Sequence, residues 1–339
     1  MLKRVSVPVA AALLSASCSV INDQNMLRPG GPAARTLASA NTFILWLFVG
    51  VVVVMWVLLW WIPMRRRGTL TEHASWNDGG DLRWVFIGGI TVPVIVLAGV
   101  FLISLRTMAA FPLGDQAMHG PRPVVQIIGH QWWWEVHYLY GNMSEQFADA
   151  NEIHIPVGQP IDIDLESHDV IHSFWVPELH GKVDLIPGLI NRIRIQADRA
   201  AIFRGECAEY CGPQHAHMIL AVRADAPEDF AKWLTHARQP AGAPAEPLAR
   251  LGQQVFLNAQ CALCHTVRGT QAHGLVGPDL THVGSRLGIA SQMLPNNVAN
   301  VEAWVTHAQS LKPYAQMPSL SMFTGEEAQA LAAYVRSLN

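Results

Sequence analysis

Two short clusters of cysteine and histidine carry the chemistry available to this sequence. The first reads Cys207-Ala-Glu-Tyr-Cys211-Gly-Pro-Gln-His215-Ala-His217-Met218, with His172 upstream in His-Ser-Phe-Trp. Two thiolates at this spacing in one loop can bridge two metal ions, and the imidazoles of His172 and His215 can each cap one of them. Met218 and the carbonyl of Glu209 are weak outer donors. Thiolate, imidazole and thioether together select copper by softness, and a single blue-copper ion needs only one Cys, two His and a weak Met. The second cysteine therefore points to a dinuclear site. A zinc site closes with four ligands such as Cys2His2, which leaves Met218 and the upstream histidine without a task. His217 competes with His215 for the same role, and spacing does not separate them. One electron shared over two bridged copper ions changes bond lengths little, and a rigid β-scaffold restrains them further. Both favour fast electron transfer.

The second cluster is Cys261-Ala-Leu-Cys264-His265. Two thiols at this spacing match thioether bonds to the two vinyl groups of a c-type haem, and the adjacent histidine becomes an axial ligand. Met317, followed by Pro318, is the candidate for the other axial position. Met293 and Met322 compete for it, although core filling is the plainer reading of both. His/Met ligation raises the reduction potential of a haem, which suits a donor to copper. A thioredoxin-like motif needs a strand–helix–strand pattern that does not follow His265.

The elements that must position these clusters follow from composition and periodicity. Of 339 residues, 50% are hydrophobic and 14% charged, a low charge content for a fully soluble chain. A net charge of -3 with no basic stripe excludes nucleic acid as a partner. Residues 1–18 read as a signal segment, with Lys3 and Arg4 before a short apolar run. Cys18 follows small residues and is a candidate for acylation, or is incidental to an ordinary signal peptide. Residues 19–40 read as a linker. Residues 41–106 hold two uncharged runs, Phe43–Ile62 and Trp84–Leu105, long enough to cross a bilayer that needs about 20 residues. Pro93 could kink the second. Arg65, Arg66, Arg67 and Arg83 mark the connecting loop as cytoplasmic, leaving everything after Arg106 on the periplasmic or outer side of a bacterial inner membrane.

Beyond the hairpin, residues 107–235 alternate as strands do. Ile161, Ile163 and Leu165 interleave with Asp162, Asp164 and Glu166, Ile190, Ile193 and Ile195 sit among Asn191, Arg192 and Arg194, and His217–Ala224 is a further strand candidate. Short alternating strands between Pro and Gly read as an all-β sandwich or barrel. Residues 236–247 contain the Pro- and Ala-rich stretch RQPAGAPAEP, a linker. Residues 248–339 turn helical, with Gly252 and Phe256 in a helix before the Cys pair. Thr324 and Glu327 form a capping box for a last helix bearing Leu331 and Val335 on one face.

The copper-type loop, the segment Asp169-Val170-Ile171-His172-Ser173-Phe174-Trp175-Val176-Pro177, the segment Asp184-Leu185-Ile186-Pro187-Gly188 and Gly129-His130-Gln131-Trp132-Trp133-Trp134 resemble subunit II of the haem–copper cytochrome c oxidases. Cys261 to His265, Gly277-Pro278-Asp279-Leu280 and Met317-Pro318 resemble class I cytochrome c. The resemblance implies a transmembrane α-hairpin, an all-β cupredoxin domain and an all-α cytochrome c domain. It also implies a CuA centre held by His172, Cys207, Glu209 through its carbonyl, Cys211, His215 and Met218, which prefers His215 over His217. The side chain of Glu209 would reach a magnesium ion at the interface with subunit I, and Trp132 would be the residue through which electrons arrive. Phe86 stands where most relatives carry a glutamate, and Leu189 where they carry an arginine.

The function so implied is that of subunit II of an aerobic oxidase. Electrons would pass from haem c to CuA and on to haem in subunit I, where oxygen is reduced to water with proton translocation. Subunits I and III, an external cytochrome c donor and membrane lipid would be the partners. The alternatives are the CuA-bearing subunit of a nitric oxide reductase and a membrane copper carrier. The fused cytochrome would raise the effective concentration of donor beside copper.

Overall fold

The computed structural model describes residues 24–65, 78–111 and 124–339. The signal segment, Cys18, Arg66 and Arg67 lie outside these. Helix α1 (Pro32–Arg65) begins well before the apolar run that announced it. Residues 32–40, read from sequence as linker, are its first turns, because Pro32 at the first helical position nucleates a helix that apolar continuity cannot reveal. Before α1 the chain is tied to the β-domain. Gly30 N–H donates to Glu178 O at 2.7 Å, its carbonyl accepts from Asp198 N–H at 2.7 Å, and Arg35 pairs with Asp198.

The second apolar run is an α-helix, α2 (Asp78–Phe86), then a π-helical turn over Ile87–Thr91, then α3 (Val92–Ala109). The π turn sits directly before Pro93, whose missing N–H and ring disturb the α register there. The most apolar 18-residue windows of these two helical runs, within stretches of 31 and 28 residues, have mean hydropathy 2.8 and 2.6, and neither is buried within the chain. Trp46, Trp56, Trp60 and Trp84 all point outward. Such surfaces need a lipid or protein covering.

The β-domain is a sandwich of two five-stranded sheets. One orders β3 (Phe147–Ala150), β2 (Trp133–Tyr138), β1 (Val125–His130), β5 (Ile161–Ser167) and β8 (Asn191–Ile195). The other orders β4 (Glu152–Pro156), β10 (Ile219–Asp225), β9 (Ala201–Cys207), β6 (His172–Trp175) and β7 (Val183–Leu185). Pairs β1–β5 and β4–β10 are parallel. The alternation in β5 has its expected meaning. Ile161, Ile163 and Leu165 enter the core, while Asp162 and Asp164 face Arg194 and Arg192 across the β5–β8 pair, each Arg Nε 2.6 Å from its carboxylate. Trp134, Tyr138, Phe174 and Phe203 fill the space between the sheets.

Helix α4 (Pro227–Ala237) closes the β-domain, and the irregular stretch after it leads to α5 (Pro247–Asn258). The helical domain adds α6 (Cys261–Cys264), α7 (Val298–Leu311) and α8 (Gly325–Ser337). Thr324 and Glu327 form the capping box at the start of α8. Helices α5 and α8 cross at Gly252, where a Cβ would fall 1.9 Å from the Ala330 carbonyl oxygen. Only a residue without a side chain lets the two backbones approach this closely.

The helical domain is docked on the β-domain through buried polar contacts. Arg286 Nε donates to Asp149 at 2.7 Å, Leu287 N–H to Glu152 at 2.9 Å and Ser291 Oγ to the Ile219 carbonyl at 2.8 Å. Arg268 reaches the Ala237 carbonyl at 2.7 Å.

Candidate metal centre and haem cavity

Strand β9 ends at Cys207, and the loop to β10 carries the remaining donors back over β6. Cys207 Sγ lies 3.7 Å from Cys211 Sγ, 3.9 Å from His172 Nδ1 and 3.2 Å from the Glu209 carbonyl oxygen. Cys211 Sγ lies 3.6 Å from His215 Nδ1 and 3.9 Å from Met218 Sδ. Each sulfur thus has its own histidine and its own weak donor. The six expected donors converge, with both cysteines, His172 and Met218 buried. His217 turns away to Gln214, 2.6 Å from its Oε1, because His215–His217 forms a 3-10 turn and not the start of β10.

Electrostatics prepare the pair for a cation. The hydrogen bond from Cys211 draws the Cys207 thiol well below its ordinary range, against burial and with help from His172, and the same contact raises Cys211. A thiol must lose its proton to bind a metal, so a bound cation would displace any proton held by the pair. Burial works to lower the His172 pKa, but its hydrogen bonds, led by that to Asp169, outweigh burial and raise it. Asp169 Oδ1 is 2.7 Å from His172 Nε2. That contact fixes the tautomer with Nε2–H donating and leaves the Nδ1 lone pair aimed at the sulfurs. Asp169 also accepts from Gln131 N–H at 2.7 Å. The sequence motifs alone give Asp169 no task. Its position three residues before His172 was the available signal.

The Glu209 side chain points outward, 3.5 Å from Lys182 Nζ, both about half exposed. Lys182 and Ala208 line a hollow with Leu37 and Ile44 of α1 and Thr107 and Met108 of α3. This flank of the copper-type loop faces the apolar helices. The opposite flank faces the helical domain. Trp132 is 7% exposed, and its Nε1–H donates to the Cys211 carbonyl at 3.1 Å. Trp134 is a fully buried core residue, and Trp133 stacks on His130 with centroids 4.5 Å apart.

In the helical domain, Cys261, Cys264, His265 and Met317 line one cavity. Its other walls are mostly apolar, including Phe256, Val301, Trp304 and Leu331. His265 Nδ1 lies 2.8 Å from the Pro278 carbonyl, so Nδ1–H donates and Nε2 is left to bind a metal. Burial lowers the His265 pKa, which keeps the ring neutral as a ligand must be. Gly277 makes room for this ring, since a Cβ there would fall 2.6 Å from His265 Cε1. Met322 is 70% exposed, which corrects the expectation that it fills the core. It follows the Pro318 turn, where the chain runs over the surface towards Thr324. Met317 is thus the one of the three competing methionines that shares the walls with His265. A neutral histidine, a thioether, two thiols at the correct spacing and an apolar cavity together fit a covalently bound haem.

Two family models match the chain. "Cytochrome C oxidase subunit II, periplasmic domain" covers residues 141–225, and "Cytochrome c" covers residues 249–339. The cytochrome c oxidase subunit 2 of Alkalihalophilus pseudofirmus is 31% identical over 328 residues, spanning 94% of this chain and 92% of that protein. The chain belongs to the cytochrome c oxidase subunit 2 family. The subunit 2 of Bacillus subtilis is 27% identical over 83% of this chain and 82% of its own length. The crystal structure of the periplasmic domain of subunit II from Bradyrhizobium japonicum aligns with 35% of this chain and 96% of its own at 30% identity, with a TM-score of 0.32. The chain is therefore a membrane-anchored subunit of an oxidoreductase, cytochrome c oxidase, built from a subunit 2 copper domain and a cytochrome c domain. Those two domains imply copper and haem binding, an electron-transfer role and the presence of other oxidase subunits.

Proposed function

We propose that this subunit accepts electrons at a haem c held by Cys261, Cys264, His265 and Met317, and delivers them through a dinuclear CuA centre to haem in subunit I. Oxygen would be reduced to water there, with proton translocation. When bound, the two groups supply one-electron redox chemistry, and the chain's own residues hold and order them. His172, Cys207, the Glu209 carbonyl, Cys211, His215 and Met218 would hold the copper pair.

The observation that carries this reading is the place of Trp132. Its ring is bonded to the Cys211 carbonyl, and it lines a cavity with Cys264, His265 and Met317. The sequence of parts supports a single direction of flow, from the cytochrome domain past Trp132 to the copper loop and out at Ala208 and Glu209 towards the membrane helices. Trp132 would then receive electrons from the chain's own haem, and the external cytochrome c donor would dock on the cytochrome domain.

A dinuclear centre is further supported by the pairing of donors, since Cys207 lies beside His172 and the Glu209 carbonyl while Cys211 lies beside His215 and Met218. The exposed Glu209 carboxylate beside Lys182 is open to a magnesium ion at the subunit I interface. Both soluble domains would face the periplasmic or outer side of the inner membrane, in contact with lipid and with subunits I and III. Membership in the oxidase family favours oxygen over nitric oxide as the final acceptor.

The test is a metal and EPR analysis of the mature chain. Two copper ions, one haem and a mixed-valence copper signal of seven hyperfine lines are expected. A four-line mononuclear signal in fully loaded protein would refute the dinuclear centre.

A further inference from the structure

One buried charge has no part in holding either metal. Lys312 follows directly on α7, is 2% exposed, and lies in the seam between the domains. Its Nζ is 2.8 Å from the Trp132 carbonyl, 2.9 Å from the His217 carbonyl and 3.1 Å from the Ala290 carbonyl. These acceptors belong to three separate segments: the turn before β2, the copper loop one residue before Met218, and the cytochrome domain. Three carbonyls match the three N–H groups of an ammonium, whereas a neutral amine has only two. No carboxylate pairs with Lys312 among the described residues.

Burial pulls the Lys312 pKa down to about 7, and the nearby Cys211 opposes that shift. An ammonium without a counter-ion inside a protein is costly unless its bonds are complete. Here they are complete, and they join the two domains. The same side chain lines the cavity that contains Trp132, His265 and Met317.

We propose that Lys312 is a positioning residue for internal electron transfer, seating the cytochrome domain against Trp132 and the copper loop and fixing a positive charge beside the copper donors. The inference rests on the electron path proposed above. An added electron lowers the net charge of the copper pair, so a cation held next to Cys211 favours its reduced form. The lysine thereby sets both the fit of the two domains and the direction in which an electron settles.

The experiment uses the full-length chain loaded with copper and haem. Lys312→Met keeps the stem and removes the charge and donors. Partition of one electron between haem and copper is read optically after partial reduction. Loss of this unit charge, in surroundings with an effective dielectric constant of about 20, is expected to move the partition towards haem by roughly tenfold, about 59 mV for a one-electron couple. Flash reduction of the haem should also be followed by slower arrival at copper. If Lys312→Met does not load, Lys312→Gln keeps donors without charge and should move the partition in the same direction. A loaded variant with wild-type partition and rate overturns the role of Lys312 alone. A wild-type chain in which no electron passes from haem to copper overturns the internal path, and this proposal with it.

Discussion

Replacing Asp169 by alanine isolates what orients the copper ligand from what binds the metal. In the folded chain this carboxylate accepts from His172 Nε2, Gln131 N–H and Val170 N–H, each at 2.7 Å. A hydrogen bond to a charged group contributes roughly 1.5–3 kcal/mol. The bond to His172 is the one that fixes the ring, and loss of such an orienting partner costs about 10–100-fold in metal affinity. At about 1.4 kcal/mol per tenfold, that range corresponds to the loss of one such bond and not of all three. Competition of the variant and wild-type chains against a Cu(I) chelator measures the difference directly. Asp169→Asn retains an acceptor without the charge, so its affinity should fall between the two, and the haem spectrum should be identical in all three. Wild-type copper affinity in a folded Asp169→Ala chain would show that His172 is held by its packing against Trp134 instead, and the argument from tautomer would fail.

Met317→Ala should move the haem towards high spin or recruit a new ligand, seen as a change in the reduced absorption spectrum, while Met322→Ala should leave that spectrum unaltered. Gly252→Ala places a methyl group 1.9 Å from the Ala330 carbonyl oxygen. It should lower the stability of the cytochrome domain by about 1–3 kcal/mol or more, read as an earlier loss of the native haem spectrum on heating. His154 sits between Glu152 at 3.1 Å and Asp225 at 2.8 Å, and although burial acts to lower its pKa, these bonds raise it. A pKa raised on folding contributes stability fully below the unfolded value, near 6.5, and loses it as pH rises through the folded value. The melting temperature should therefore decline over that window in the wild type. Calorimetry of His154→Gln should find the decline reduced.

Much of the chemistry was legible in the sequence because it depends on spacing within single segments. Cys207, Cys211 and His215 share one loop, as do Cys261, Cys264 and His265, and short loops leave few ways to arrange such donors. The strand alternation of Ile161, Ile163 and Leu165 was legible for the same reason, since each residue's neighbours in sequence determine its face. The first turns of α1 were not, because Thr36, Ser39 and Asn41 interrupt the apolar run without interrupting the helix. Spacing did not separate His215 from His217; the resemblance preferred His215, and the 3-10 turn that directs His217 to Gln214 is beyond any spacing rule. The docking of the two soluble domains was not legible at all. A Pro- and Ala-rich connection such as residues 238–246 permits many orientations, and the one adopted depends on partners distant in sequence, Arg286 with Asp149 and Lys312 with Trp132. For Lys312 the obstacle was sharper. Its partners are backbone carbonyls, which every residue possesses, so no side-chain pattern could have pointed to it.

The π-helical turn over Ile87–Thr91 bears on how the second apolar helix meets its surroundings. A π turn accommodates one residue more than an α turn, and each residue of an α-helix turns the chain by about 100°. Side chains beyond Thr91 are therefore rotated about the axis relative to an uninterrupted helix. A stripe drawn at every third or fourth position from Leu82 onward does not continue as one face past Val92. A neighbouring membrane helix would follow two offset seams, one on each side of the turn, and substitutions chosen from a single helical wheel would probe unrelated surfaces.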